Sequence, residues 1–316
     1  LGSTVFVHSQ TVVVKTISMN VQNLLVTLLI SSVLALPCSQ ANNPIVGHDV
    51  LKLNIRMYLQ GALLGVKSSS NLMRDDLRAA GIIPLNEPYS SFGNYSHYGD
   101  LGGTEVIENH EVLKVEGPDA IVDWVFVELR HPELQKIVLA TRSALLQRDG
   151  DVVDVDGISP LVFMGLDSGS YMVAVRHRNH LGVMSAQAYT MSKVPQLVDF
   201  TSPKGMFIGG KPMIQIMDKM ALFAGDANQD GEVNIQGPKN DKDKIFFDIL
   251  YSPDNLDANY THIIYGYNNG DVNLDGEVKY QGPKSDGSYL AFDIVFLWEY
   301  TCPKVDKDCR LVEELP

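Results

Sequence analysis

The chain has 316 residues, 45% hydrophobic and 20% charged, with a formal net charge of −13. It is long enough for two separate cores, and its composition is ordinary for a globular protein. The acidic excess argues against nucleic acid and anionic membrane as partners.

Residues 24–36 form an uncharged, largely apolar run, about the length of an export-signal core. It is short for a stable membrane span. Small residues at Ser39 and Ala41 place cleavage before Asn42, Lys15 supplies a thin positive flank, and Met19 is an alternative start. Cys38 would mark a lipid anchor, but Pro37 stands where that motif needs a small residue. If the segment is retained, residues 4–17 alternate as a strand and 23–36 pack as a buried segment. Residues 1–41 are therefore expected to be a signal peptide or an N-terminal apolar segment, and the protein secreted or at the cell surface.

Residues 46–201 read as a β domain. Alternation predicts a strand over 51–59, ended by Gly61, and 71–81 reads as a short helix or turn stopped by Gly81. Residues 83–118, rich in Gly, Ser, Asn and Tyr, are expected as a long insertion. Its Tyr89, Phe92, Tyr95, His97 and Tyr98 would either stack on sugar rings or anchor the loop to its own domain. Asn94 and Asn259 open glycosylation sequons.

Strands are expected at 120–129, 136–146, 152–155, 161–163, 171–177 and 183–190, separated by Gly and Asp turns. That spacing indicates an immunoglobulin-like or prealbumin-like β-sandwich with Trp124 in its core. Asp149, Asp151, Asp154 and Asp156 are expected as turn residues. In the cluster 176–180, Arg-His-Arg-Asn-His, an odd separation on a strand would put His177 and His180 on opposite faces. No nucleophile or paired acid accompanies them, so the cluster is expected to make structural hydrogen bonds or cap a turn. Residues 192–222 form a connection, with 197–201 as a last strand. Residues 292–300 alternate Phe292, Ile294, Phe296 and Trp298 and are expected as another strand.

The strongest signal is an internal repeat over 202–300. Residues 225–241 read GDANQDGEVNIQGPKND and residues 270–286 read GDVNLDGEVKYQGPKSD, 45 residues on. Oxygen side chains recur at loop positions 1, 3 and 5: Asp226, Asn228 and Asp230, then Asp271, Asn273 and Asp275. Glycine follows at position 6, and Glu232 or Glu277 would offer its backbone carbonyl at position 7. This is the first half of an EF-hand-type calcium loop, in which alternate residues turn oxygens toward a hard cation. Position 12, normally a bidentate Glu, is Gly237 or Gly282; the next acid shared by both copies is Asp241 or Asp286. These are the expected closing carboxylates of two Ca2+ sites. Converging carboxylates about 4 Å apart repel by roughly 4 kcal/mol at an effective dielectric near 20, which a cation relieves.

Residues 301–316 are left as a tail. Cys302 and Cys309 are close enough in sequence to close a small disulfide loop.

The segments MRDDLRAAGIIPLNEPYS (73–90), AIVDWVFVELR (120–130), ALLQRDGDVVDVDGISPLVF (144–163) and GSYMVAVRHRNHLGVM (169–184) resemble a module of large exported proteins of Bacteroidota. The doubled loop is similar to the calcium-type repeats that follow that module, and in its first half to dockerin loops. The glycine at position 12 departs from the dockerin pattern and puts cohesin pairing in doubt. The resemblance implies a surface or extracellular protein, often adhesive or part of an array, and no established catalytic activity. The residues support the same expectation: no catalytic constellation or nucleotide loop stands out, and the chain is not expected to be an enzyme. The leading expectation is a calcium-stabilised structural subunit that self-associates into a homo-oligomer or helical filament. The alternative is an adhesin or glycan-binding module.

Overall fold

The computed structural model describes residues 49–67, 70–202, 213–295, 311–313 and 315–316. They fall within one compact unit, Gly47–Pro316. The expected signal segment, the strands and buried segment proposed within it, and Cys302 and Cys309 lie outside the described residues.

The architecture is mainly β. Nine strands share a sheet: β1 (Leu51–Arg56), β2 (Ile121–Arg130), β3 (Val138–Gln147), β4 (Asp151–Val153), β5 (Leu161–Phe163), β6 (Gly169–His177), β7 (His180–Met184), β8 (Tyr189–Met191) and β9 (Gln196–Asp199). The order is β5-β1-β4-β3-β2-β6-β7, with β8 also on β6 and β9 also on β1. The pairings are antiparallel except β1–β9, which is parallel. This is compatible with the expected sandwich.

β2 is the centre. All ten of its residues are buried, with Trp124 and Phe126 on one face and Val125 and Val127 on the other. Burial on both faces forces its charged residues into pairs. Glu128 meets Arg130, and Arg142 on β3 meets Glu105 and Asp154.

The 83–118 insertion is fastened by its aromatics. Tyr89 is fully buried, its hydroxyl donates to the Trp124 carbonyl at 2.9 Å, and its ring lies 5.2 Å from Phe126. The Tyr95 hydroxyl donates to the His177 carbonyl at 2.8 Å. These two rings face inward, so they anchor the loop and are not presented to a sugar; Tyr98 is half-exposed.

Three expected elements differ. The first strand ends at Arg56, because the chain enters a helical turn, Gln60–Leu63. The strand expected at 183–190 is two strands, β7 and β8, each pairing with a different part of β6. The segment expected as a strand from Phe292 is helical over Tyr289–Val295. There Leu290 and Ile294, four apart, are fully buried while Phe292 is 65% exposed, so helical spacing prevails over apparent alternation. Phe296 and Trp298 lie outside the described residues.

The repeat region has its own apolar cluster, built from equivalent positions of the two copies. Ala227 and Val272, Val233 and Val278, Ile245 and Leu290, and Ile249 and Ile294 all pack into it. Helix Asp241–Leu250 follows the first loop, and the turn Asp286–Ser288 running into Tyr289–Val295 follows the second. A hairpin of β10 (Met213–Ile216) and β11 (Lys219–Leu222) precedes the first loop. Within the repeats, β12 (Glu232–Val233) pairs with β15 (Leu311–Val312), and β13 (Ile264–Tyr265) with β14 (Glu277–Val278).

Candidate metal-binding loops

The two loops share one backbone trace. Positive φ recurs at matched non-glycine positions, Gln229 and Leu274 (61° and 58°), then Lys239 and Lys284 (59° and 57°). It recurs too at Gly231 and Gly276 (79° and 85°), where a side chain would be strained.

The hydrogen bonds repeat as well. Asp226 accepts the N–H of Asp230 (3.0 Å) and Gly231 (3.1 Å); Asp271 accepts that of Asp275 (3.0 Å) and Gly276 (2.9 Å). The Asn228 and Asn273 side-chain oxygens each accept, at 2.9 Å, from the N–H two residues on. Asp230 and Asp275 accept from the N–H of Glu232 and Glu277.

The late acids return to the loop. Asp241 is the first residue of its helix and is fully buried; one oxygen accepts the Asn228 N–H at 3.3 Å, the other the Asn234 N–H at 2.8 Å. Asp286 does the same for Asn273 (3.4 Å) and Lys279 (2.8 Å), and also accepts the Val272 N–H at 2.9 Å. Each loop therefore gathers Asp, Asn, Asp and a closing Asp around one turn. The Glu277 side chain turns to Lys279.

These carboxylates are costly without a counter-charge. Burial, helped by neighbouring loop carboxylates, pushes Asp226 up to about 7 and Asp241 up to about 8. Burial also raises Asp271 and Asp286, and Asp271 adds to the effect at Asp286. The copies differ in what offsets this. In the second, Lys279 stands 3.9 Å from Asp275 and the buried Arg178 favours the ionised Asp271. In the first, position 9 is Asn234, whose side-chain oxygen is buried without a donor.

All the side-chain donors are oxygens, which suit Ca2+ better than zinc. Among the described residues no group of three or more His, Cys, Asp or Glu side chains is drawn together as a metal cage. The loop carboxylates instead accept backbone N–H groups. The oxygen donor set, the raised carboxyls and the unpaired Asn234 oxygen fit a hard cation.

A buried polar clasp joins the sheet to both loops. His177 and His180 are directly paired across β6 and β7, because Arg178 and Asn179 form the turn between them. Their imidazoles therefore meet, Nδ1 to Nδ1 at 3.0 Å, rather than pointing to opposite faces. The Gly61 N–H donates to His180 Nε2 at 3.0 Å, which places the His180 proton on Nδ1, toward His177 and Asn179 Oδ1. His177 then accepts at Nδ1 and donates from Nε2 to Asp123 at 3.0 Å. Burial lowers the basicity of both rings, consistent with neutral histidines.

Asp123 also accepts from Arg178 (3.1 Å), the Tyr267 hydroxyl (2.7 Å) and the Trp124 N–H (2.7 Å). Burial opposes its charge, but Arg178, His177 and Tyr267 outweigh that and hold its carboxyl below the ordinary value. Arg178 lies 4.3 Å over the Tyr267 ring and donates to the Asn268 carbonyl. The Asn179 amide donates to the carbonyls of Asn269 (3.0 Å) and Asp271 (2.7 Å). Toward the first loop, the Gly225 N–H donates to the Asn179 carbonyl and Gln229 Nε2 to the Arg178 carbonyl, both at 3.0 Å. Arg74 donates to the carbonyls of Gly61 and Asn273.

Arg74, Asp123 and Tyr267 were not singled out by sequence. A histidine pair flanking two polar residues was the available signal, since a two-residue hairpin turn pairs its flanks. No protein-family model matches the chain, and comparison with curated proteins and solved structures finds no significant relative.

Proposed function

We propose that this chain is a calcium-stabilised structural protein of the cell exterior. The observation that carries the reading is the coincidence of backbone, hydrogen bonds and buried carboxylates in two loops 45 residues apart. In it, Asp226, Asn228, Asp230 and Asp241, with the Glu232 carbonyl, hold one Ca2+. Asp271, Asn273, Asp275 and Asp286, with the Glu277 carbonyl, hold the other. The ions act as braces. Each loop abuts the Arg178–Asn179 turn, so a neutralised loop stiffens the junction with the sheet. The nine strands are read as a β-sandwich of the exported module that the sequence resembles.

Self-association is the second part of the proposal. Among the described residues β9 pairs with β1 alone, which leaves its other edge for another strand. Where that strand comes from a different edge of the next copy, the contact is heterologous and, when its rotation does not close, builds open fibres. No helix among the described residues is long and apolar enough to cross a membrane.

Calorimetric titration of the full chain with calcium is expected to give two bound ions, and chelation to lower the melting temperature. Melting unchanged by chelator would sink the calcium reading. Electron microscopy of concentrated protein in calcium tests assembly, and strictly monomeric particles would sink that part alone.

A further inference from the structure

The face of helix Asp241–Leu250 away from its buried Ile245 and Ile249 opens onto a cleft of about 520 Å³. Its walls include Lys244, Phe247, Asp248, Tyr251, Asn268 and Asn269. The size falls within the roughly 300–1,000 Å³ of small-molecule sites. It is distinct from the loop carboxylates but shares the Tyr267 wall with the buried clasp, and Asn268 and Asn269 reach it from the chain just ahead of the second loop.

Two features of the lining bear on what fits. Phe247 and Tyr251, one helical turn apart, lie with ring planes 6° apart and centroids at 5.8 Å. They remain 45% and 74% exposed, so a parallel pair of rings faces solvent beside a concavity. The polar groups of the wall keep unused hydrogen-bonding capacity. Asn268 Oδ1 accepts the Gly270 N–H, leaving its amide nitrogen available, and the Asn269 side chain has no hydrogen bond among the described residues. Lys244 and Asp248 pair with each other at 2.5 Å, so the cleft holds one cation and one anion that cancel.

We infer that this cleft binds the sugar ring of a neutral glycan. The C–H face of a pyranose is apolar and covers an aromatic ring, while its hydroxyls donate and accept around the rim. The amides of Asn268 and Asn269 and the outer lone pairs of Asp248 match that rim. An apolar side chain of a peptide or a second copy would cover the rings but leave those groups desolvated and unpaired, at a cost of about 1–3 kcal/mol each. The cancelled charge of Lys244 and Asp248 gives no attraction for an acidic sugar. This inference does not depend on calcium in the loops.

The test probes an array of neutral and acidic glycans with the full chain, followed by calorimetry on a retained neutral oligosaccharide. Tyr251→Ala and Asn269→Ala are each expected to weaken binding about tenfold, and Tyr251→Phe, which keeps the ring, to stay within about twofold. Unchanged melting temperatures would show that the variants fold. Tyr260, 49% exposed and outside the cleft, serves as the control. Retention of no neutral glycan would overturn the inference. So would unchanged binding in Tyr251→Ala, or equal weakening in Tyr260→Ala, which would mark nonspecific adhesion through exposed rings.

Discussion

The side-chain amide of Asn179 donates to the backbone carbonyl of Asp271 at 2.7 Å, fastening the β6–β7 turn to the first residue of the second loop's acid series. The same nitrogen also serves the Asn269 carbonyl. Asn179 is fully buried, so water cannot replace it freely. Asn179→Ala is expected to leave both carbonyls without this donor and to lower stability by about 2 kcal/mol. Urea unfolding would measure it. A change within about 0.5 kcal/mol, the ordinary surface level, would show that the junction does not rely on this contact.

Gly61 shows how closely the second loop approaches the sheet. A Cβ at this position would come within 2.3 Å of the Val272 carbonyl oxygen and 3.1 Å of the His180 ring. Gly61→Ala must therefore move backbone, not a flexible side-chain end, and is expected to cost about 3 kcal/mol, the upper range for overpacking. Thermal melting checks this, with Gly81→Ala as a comparison because nothing lies within 4 Å of a Cβ there. Gly81 has a positive φ of 69°, so its own cost is about 1 kcal/mol from backbone strain alone.

Asp241→Asn separates a metal ligand from a turn residue. The amide keeps an acceptor for a backbone N–H but removes the negative charge. At a calcium concentration about a hundredfold above the dissociation constant, one site stabilises the fold by about 2.7 kcal/mol. That increment is expected to disappear for the first loop and persist for the second. Chemical unfolding with calcium and with chelator checks it; an unchanged calcium response would remove Asp241 from the ligand set.

The paired histidines make a pH prediction. Burial holds His177 and His180 below their ordinary value, whereas the unfolded chain protonates near 6.5. Their contribution is thus complete above about pH 6.5 and is lost as pH falls from there toward their folded-state values. The slope approaches about 1.4 kcal/mol per pH unit for each ring. Asp123 favours the charged His177, while Arg178 opposes charge on both rings. Unfolding free energies between pH 7 and 5 in saturating calcium, which on the proposed reading holds the loop carboxylates ionised, should show the fall. His180→Gln should flatten it, and an equal slope in that variant would place the acid sensitivity elsewhere.

Much of the sheet was legible because its strands stand between Gly and Asp turns, and β2 reads as a near-continuous β-branched and aromatic run, as burial on both faces requires. The bounds of β5 were legible directly, since Leu161–Phe163 is a short apolar run between turns. The helices of the repeats were hidden. Phe292 and Ile294 mimic strand alternation, and only the four-residue step from Leu290 to Ile294, matching Ile245 to Ile249, marks the helical face. The loop acids stood out as a repeated pattern, and folding returns Asp241 and Asp286 to the turns that precede them. The clasp was less visible because Arg74, Asp123, His177 and Tyr267 are far apart in sequence, and a strand rule cannot anticipate a turn between two histidines.

The β12–β15 pair has a consequence for the order of assembly. Glu232 is in register with Val312, and the Glu313 N–H donates to the Gly231 carbonyl at 2.7 Å. The second loop takes its strand partner from β13, which precedes it in the chain. During synthesis, when earlier segments emerge first, the second loop has its partner as soon as it leaves the ribosome. The first loop, though made earlier, waits for residues some eighty positions downstream. The older of the two turns is therefore the later to be completed, and a nascent chain halted before β15 would carry one finished loop and one still unpaired.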